Sequence, residues 1–157
     1  MIVFVGSIHK PNREAVDFII DKLAPAFPQL LFAVAGMNLN SYCEKGGRAP
    51  GANVVFTGPV DESIKDILFD WAEVALAPMR SGTGSSLKIP DYVAHGKIVI
   101  GTPVGLRGFE ELARFSSVLV TEDVATALAE VLARLEREPD AYDLACQQAR
   151  EWVEKTL

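Results

Sequence analysis

The sequence predicts a single α/β domain built on a parallel β-sheet with helices on both faces. Three observations carry this reading. Short β-branched runs closed by glycine or turn residues recur along the chain, with the continuous apolar character of strands buried on both faces. Stretches of helical period separate them, so that strands alternate with helices as right-handed crossovers require. A length of 157 residues suits one domain that can bury a sizeable core without disulfides or metals.

The elements follow in order. Ile2 to Val5 is a buried strand ended by Gly6. Pro11 suits a first helical turn, and Val16, Ile19, Ile20, Leu23 and Phe27 form one apolar stripe behind it. Leu30 to Ala35 reads as a second strand closed by Gly36. The polar, glycine-rich stretch from Met37 to Ala52 reads as a surface loop with a short helix near Ser41 to Glu44. Asn53 to Thr57 is a third strand, Asp61 caps a helix from Glu62 to Trp71, and Val74 to Ala77 is a fourth. Ile98 to Thr102 and Ser117 to Val120 are two more strands. The βα units thus fill residues 1–120. Residues 121–157 are helical, with stripes at Leu128, Val131, Leu132 and Leu135 and at Tyr142, Ala145, Ala149, Trp152 and Val153, punctuated by Pro139. No repeat or linker marks a second domain.

Composition excludes several classes. With 49% apolar and 23% charged residues the chain is neither disordered, collagenous nor a coiled coil. The 21 acidic against 15 basic side chains leave a net charge of -6, which argues against nucleic acid or an anionic membrane as partner. Any phosphate must therefore be held locally. Cys43 and Cys146 stand far apart without a metal-ligand pattern and read as reduced structural thiols. No run is long enough for a transmembrane segment, and Met1 leads directly into the first strand without a signal peptide. A cytoplasmic location is expected.

In a doubly wound sheet ligands bind at the carboxyl ends of the strands, so the glycine-bearing loops after the strands are where chemistry is sought. The most informative is Arg80-Ser81-Gly82-Thr83-Gly84-Ser85-Ser86-Leu87-Lys88. Two glycines, three serines and a threonine before a helix offer exposed N–H groups and a helix N-terminus, the ingredients of an anion site. It is neither a P-loop nor a complete G-x-G-x-x-G. Pro90 must lie in the first turn, which starts the helix near Ser86 and puts Lys88 in that turn, against the dipole unless an anion is bound. The competing reading is a serine-capped helix with a solvated lysine. His9, in the first loop, is near the expected ligand. His95 reads as a helix-end residue about 10 Å from Lys88 along the axis, and Glu110 and Glu111 as solvated helix-start charges.

The run from Ala77 to Gly105, APMRSGTGSSLKIPDYVAHGKIVIGTPVG, resembles the donor-binding core of family 4 (group 1) glycosyltransferases of the GT-B fold. Phe4 to Ala15, with FVGSIHKPN, is similar to the first strand and loop of that family's C-terminal domain, and Asn53 to Val60, NVVFTGPV, to its base-binding strand. The resemblance implies a Rossmann-like domain forming one half of a GT-B fold. It implies that Lys88 is catalytic and contacts the donor diphosphate, with Gly6 and Ser7 approaching the diphosphate or sugar; the loop residues Gly82, Thr83, Gly84, Ser85 and Ser86 and, from the first loop, His9 complete the expected diphosphate site. Asp91 stands where a glutamate usually binds the ribose hydroxyls, and Gly58 and Val60 lie near the nucleobase. The chain departs from the family at Thr83, where many members have a glutamate, and at Ser86 and Ser7, where many have a basic residue. Lys10 or Arg80 could restore positive charge.

These correspondences imply hexosyl transfer from a nucleoside diphosphate-sugar, with retention as the family trait. No D-x-D occurs, so neither a metal nor another cofactor is expected. The family's acceptor-binding half normally precedes such a domain, so an acceptor-binding N-terminal domain or partner chain is the implied partner. The alternative is a non-catalytic nucleotide-sugar-binding module, or one subunit of a two-chain transferase.

Overall fold

The computed structural model describes residues 1–157. Six parallel strands form one sheet in the order β3-β2-β1-β4-β5-β6, where β1 is Ile2–Val5, β2 Phe32–Ala35, β3 Val54–Gly58, β4 Val74–Ala77, β5 Ile98–Gly101 and β6 Val118–Val120. β2, β4 and β5 are buried along their whole length, which is why they carry no polar alternation.

Several bounds differ from the expected ones for local reasons. β2 starts two residues late because Leu30 N–H donates to Phe27 C=O and closes a turn first. β3 starts after Asn53, whose amide donates to the Ala24, Phe27 and Leu30 carbonyls at 3.0, 3.1 and 3.1 Å and ties the strand to the preceding helix end. The first helix runs as α1 (Lys10–Phe18), a π-helical turn over Ile19–Leu23 and α2 (Ala24–Ala26). The wide turn falls just before Pro25, whose ring would otherwise meet the carbonyl four residues back. Within the expected loop, α3 (Leu39–Lys45) is longer than predicted because Leu39 and Cys43, one turn apart, are both buried. α4 (Glu62–Trp71) begins as predicted, with Asp61 Oδ1 accepting from Ile64 N–H at 2.9 Å. α5 is Lys88–Ala94, α6 Val124–Arg137 and α7 Asp143–Thr156.

The strand order positions the site. The chain adds strands outward on one side of β1 and then, from β4, on the other, so crossovers of one hand place their helices on opposite faces. The contacts agree. Tyr42 of α3 bonds Asp17 of α1, whereas Phe69 of α4 packs against Tyr92 and His95 at the end of α5. The chain leaves β1 toward one face and β4 toward the other, and a crevice opens between the two carboxyl ends. Fully buried Tyr92 fixes that crevice: its hydroxyl accepts the Val5 N–H at 2.8 Å and locks α5 to the end of β1. Burial raises the Tyr92 pKa, so the phenol remains a neutral strut. No helix is long and apolar enough to cross a membrane.

Candidate functional site

At this crevice the loop after β1 and the loop after β4 face each other across a cleft of about 740 Å³. Ser7, His9, Lys10 and Asn12 line it from one side, and Ser81, Gly82, Thr83, Ser85, Ser86 and Lys88 from the other. Gly82 (φ 129°) and Gly84 (φ 72°) take backbone conformations that side-chain-bearing residues rarely adopt, and so let the loop fold back over the cleft. Arg107, from the loop after β5, holds it there. Its guanidinium donates to the Gly84 carbonyl, to Thr83 C=O at 3.2 Å and to Val104 C=O at 3.1 Å, while its own carbonyl accepts Ser86 N–H at 2.9 Å.

Lys88 is the chemical centre of the cleft. Its ammonium donates to Asn12 Oδ1 at 2.7 Å, approaches Met79 Sδ at 3.7 Å and sits 4.4 Å from the centroid of the Phe4 ring. Lys88 is half-buried, its ammonium is held among these three groups, and no carboxylate lies in ion-pair reach. Burial pushes its pKa down to about 7. An enclosed ammonium without a counter-ion would be stabilised by an anion brought beside it.

The expected helix geometry needs correction. α5 begins at Lys88 itself, not near Ser86, has only seven residues, and carries no side-chain cap. The serine-capped alternative is therefore wrong: Ser86 is buried with its hydroxyl unpartnered, and only its carbonyl enters the turn, accepting from Ile89 N–H at 3.0 Å. With Pro90 as its third residue the helix has few free N–H groups to offer, so the charge in the cleft comes from Lys88 and the loop.

Other predicted residues lie apart. Gly6 is behind the cleft wall, against Asn12. Asp91, one turn beyond Lys88, turns toward α4, where Lys65 Nζ meets its Oδ2 at 3.1 Å and, in the same cluster, Glu62 at 2.7 Å. Burial lowers the Lys65 pKa, but these two carboxylates outweigh it and the net shift is upward. Gly58 ends β3 and Val60 follows it, two strands from β1; Gly58 C=O accepts Gly36 N–H at 2.9 Å. His95 closes α5, stacked on Phe69 at 4.4 Å and 3.0 Å from Asp66, and Glu110 accepts the Gly108 N–H at 2.9 Å.

Asn12 and Arg107 are the cleft residues that sequence reasoning missed. The available signals were a polar side chain directly after the helix-starting Pro11 and a basic residue just past the Thr102 to Gly105 turn. A second hollow, about 700 Å³ between α1 and the start of α6, offers no comparable centre. Its carboxylates Asp17 and Asp21 are bridged by Arg48, Glu14 is held by Ser81 and Lys10, and Asp123 caps α6. No group of three or more His, Cys, Asp or Glu side chains gathers as a metal set.

Comparison with known proteins follows the same lines. Residues 1–138 match the family described as Glycosyl transferases group 1. No curated protein matches the sequence. Among solved structures, the C-terminal domain of the group 1 glycosyl transferase LpcC from Francisella tularensis is similar at 15% identity and a TM-score of 0.66, over 99% of this chain and 85% of that one. HepE from Anabaena, solved with UDP and glucose, is similar at 16% identity and a TM-score of 0.71, over 98% of this chain and 43% of HepE. WaaG, a glycosyltransferase involved in lipopolysaccharide biosynthesis, is similar at 20% identity and a TM-score of 0.65, and this chain spans 43% of its length. At such identities the likeness establishes the fold, a Rossmann-like α/β domain of the kind that forms one half of the GT-B fold. Taken with the family match over most of its length, it follows that this chain belongs to the group 1 glycosyltransferases.

Proposed function

We propose that the chain is the nucleotide-sugar-binding half of a transferase that moves a hexosyl group, with retention, from a nucleoside diphosphate-sugar. The observation that carries this reading is Lys88, an enclosed ammonium without a counter-ion at the switch point of the sheet. The diphosphate lies against Lys88 and the backbone of the Gly82 to Ser86 loop, with Ser7 and His9 across the cleft. Lys88 stabilises the negative charge that develops on the leaving diphosphate as the glycosidic bond breaks. No metal is needed, because the cation is supplied by the chain. The nucleobase extends toward Gly58 and Val60, and Asp91 takes the ribose hydroxyls. Its pairing with Lys65 is compatible with this, since two carboxylate oxygens offer about four acceptor positions. UDP and glucose in HepE favour the same ligand class here. The acceptor is held by a second domain or partner chain, in keeping with a chain that spans 43% of WaaG.

Calorimetric titration with a panel of nucleoside diphosphates, with and without EDTA, tests the reading. At least one should bind equally well under both conditions. Failure of every one would remove the site assignment, and loss of binding in EDTA would remove the metal-free role of Lys88.

A further inference from the structure

We propose that Asn12 is the positioning residue of the anion site: its amide oxygen aims the Lys88 ammonium into the cleft while leaving the positive charge unneutralised for a diphosphate. The inference rests on the function proposed above and assigns a role to a residue that lies in the run similar to the family but was given no role by it.

The partners of the Lys88 ammonium are all neutral: an amide oxygen at 2.7 Å, a thioether at 3.7 Å and the face of Phe4 with its centroid at 4.4 Å. Each stabilises a cation without cancelling it, the first by accepting a hydrogen bond and the last through the ring quadrupole. An aspartate at position 12 would make the stronger hydrogen bond, but it would bring a charge that competes with the ligand. The backbone is shaped around this amide. A Cβ at Gly6 would lie 2.8 Å from Asn12 Cγ and 2.9 Å from Oδ1, so Gly6 is what lets the side chain stand between β1 and Lys88. Pro11 is the second residue of α1, and Asn12 N–H donates to His9 C=O at 3.0 Å, which fixes the residue in the first turn.

The surrounding charges leave the ammonium for an incoming anion. From the α1 side, His9 and Lys10 line the cleft, and from the loop after β5 comes Arg107. The nearest acidic groups of the packed elements are already engaged, Glu14 with Ser81 and Lys10, and Asp91 with Lys65. A bound diphosphate therefore supplies the negative charge that the enclosed ammonium lacks, and Lys88, buried to a pKa of about 7, takes up a proton as the ligand arrives above that pH.

The test uses the whole chain, inorganic pyrophosphate as probe, and the variants Asn12→Asp and Asn12→Ser. Calorimetry at pH 7.5 in buffers of different ionisation heat reads affinity and proton uptake, and NMR of 13C-labelled lysine reads the Lys88 titration midpoint without ligand. Wild type should bind with proton uptake. Asn12→Asp should bind at least tenfold more weakly without uptake, with its midpoint raised by more than one pH unit. Asn12→Ser should also bind more weakly, but with its midpoint lowered, because the ammonium loses its acceptor. A residue that merely supports the fold would not move the two midpoints in opposite directions. Pyrophosphate affinity of Asn12→Asp within twofold of wild type, or midpoints unmoved in both variants, would overturn the assignment of Asn12. Absence of any pyrophosphate or nucleoside diphosphate binding by wild type would instead overturn the proposed function, while the midpoints would still decide whether Asn12 governs Lys88.

Discussion

Lys88 shows what an enclosed ammonium costs the protein that carries it. Its ordinary pKa near 10.5 applies to the unfolded chain, and the folded value is lower, about 7. Between those two pH values the unfolded state binds more protons, so the contribution of this residue to stability rises with pH across that window. Below about pH 7 both states are protonated and the full penalty of enclosing the charge is present; above about 10.5 it has vanished. Replacing Lys88 with methionine, of similar length and suited to the contacts with Phe4 and Met79, should therefore stabilise the protein at pH 6 to 7. A gain of about 1 kcal/mol or more is expected in urea unfolding, shrinking toward pH 10. The same variant should lose pyrophosphate binding. A variant less stable than wild type at every pH would show that the lysine is a structural group. Lys88→Ala, which also removes packing, should weaken nucleoside diphosphate binding by about 1.5 to 3 kcal/mol.

At the scale of elements, side chains distant in sequence decide where helices end and how strands are held. Asn53 serves three carbonyls at the end of α2 and in the turn before β2, so one residue joins the first crossover to β3. Asn53→Ala should cost about 1 to 3 kcal/mol in urea unfolding, since three partly buried acceptors lose their shared donor. A loss under about 0.5 kcal/mol would mean that water replaces the amide. Lys97 plays a similar part for α4, donating to Phe69 C=O at 2.6 Å and Ala72 C=O at 3.0 Å at the helix end. The sequence announced α4 through its Asp61 cap because a capping signal is local. The π-helical turn and the late start of α5 were not announced, because they answer to Pro25 and to the Arg107 clamp on the preceding loop.

For the molecule as a whole, the doubly wound order leaves the crevice between the carboxyl ends of β1 and β4 open on one side. Sugar transfer requires the acceptor hydroxyl within about 3 to 3.5 Å of the anomeric carbon, and holding both partners so can supply roughly 7 to 11 kcal/mol of barrier reduction. On the function proposed above, this chain provides one wall. Purified alone, it should bind donor yet give no multiple-turnover transfer to a lipid or sugar acceptor, as followed by mass spectrometry. Sustained turnover without a partner would place the acceptor site within these 157 residues.

The strands, their parallel arrangement and the glycine-serine loop ending in Lys88 were determined by the sequence alone, because strand burial, helical period and turn chemistry are written in neighbouring residues. The family was legible for the same reason: its pattern lies in one continuous run, Ala77 to Gly105. Only the tertiary structure decided which groups meet Lys88. Asn12 and Phe4 lie 76 and 84 positions away in the chain and reach it because β1 and β4 are neighbours in the sheet. Likewise the pairing of Asp91 with Lys65 required α4 and α5 to share a face. Spacing along a chain carries no information about contacts made by a crossover, and the charge state of a lysine depends on what encloses it.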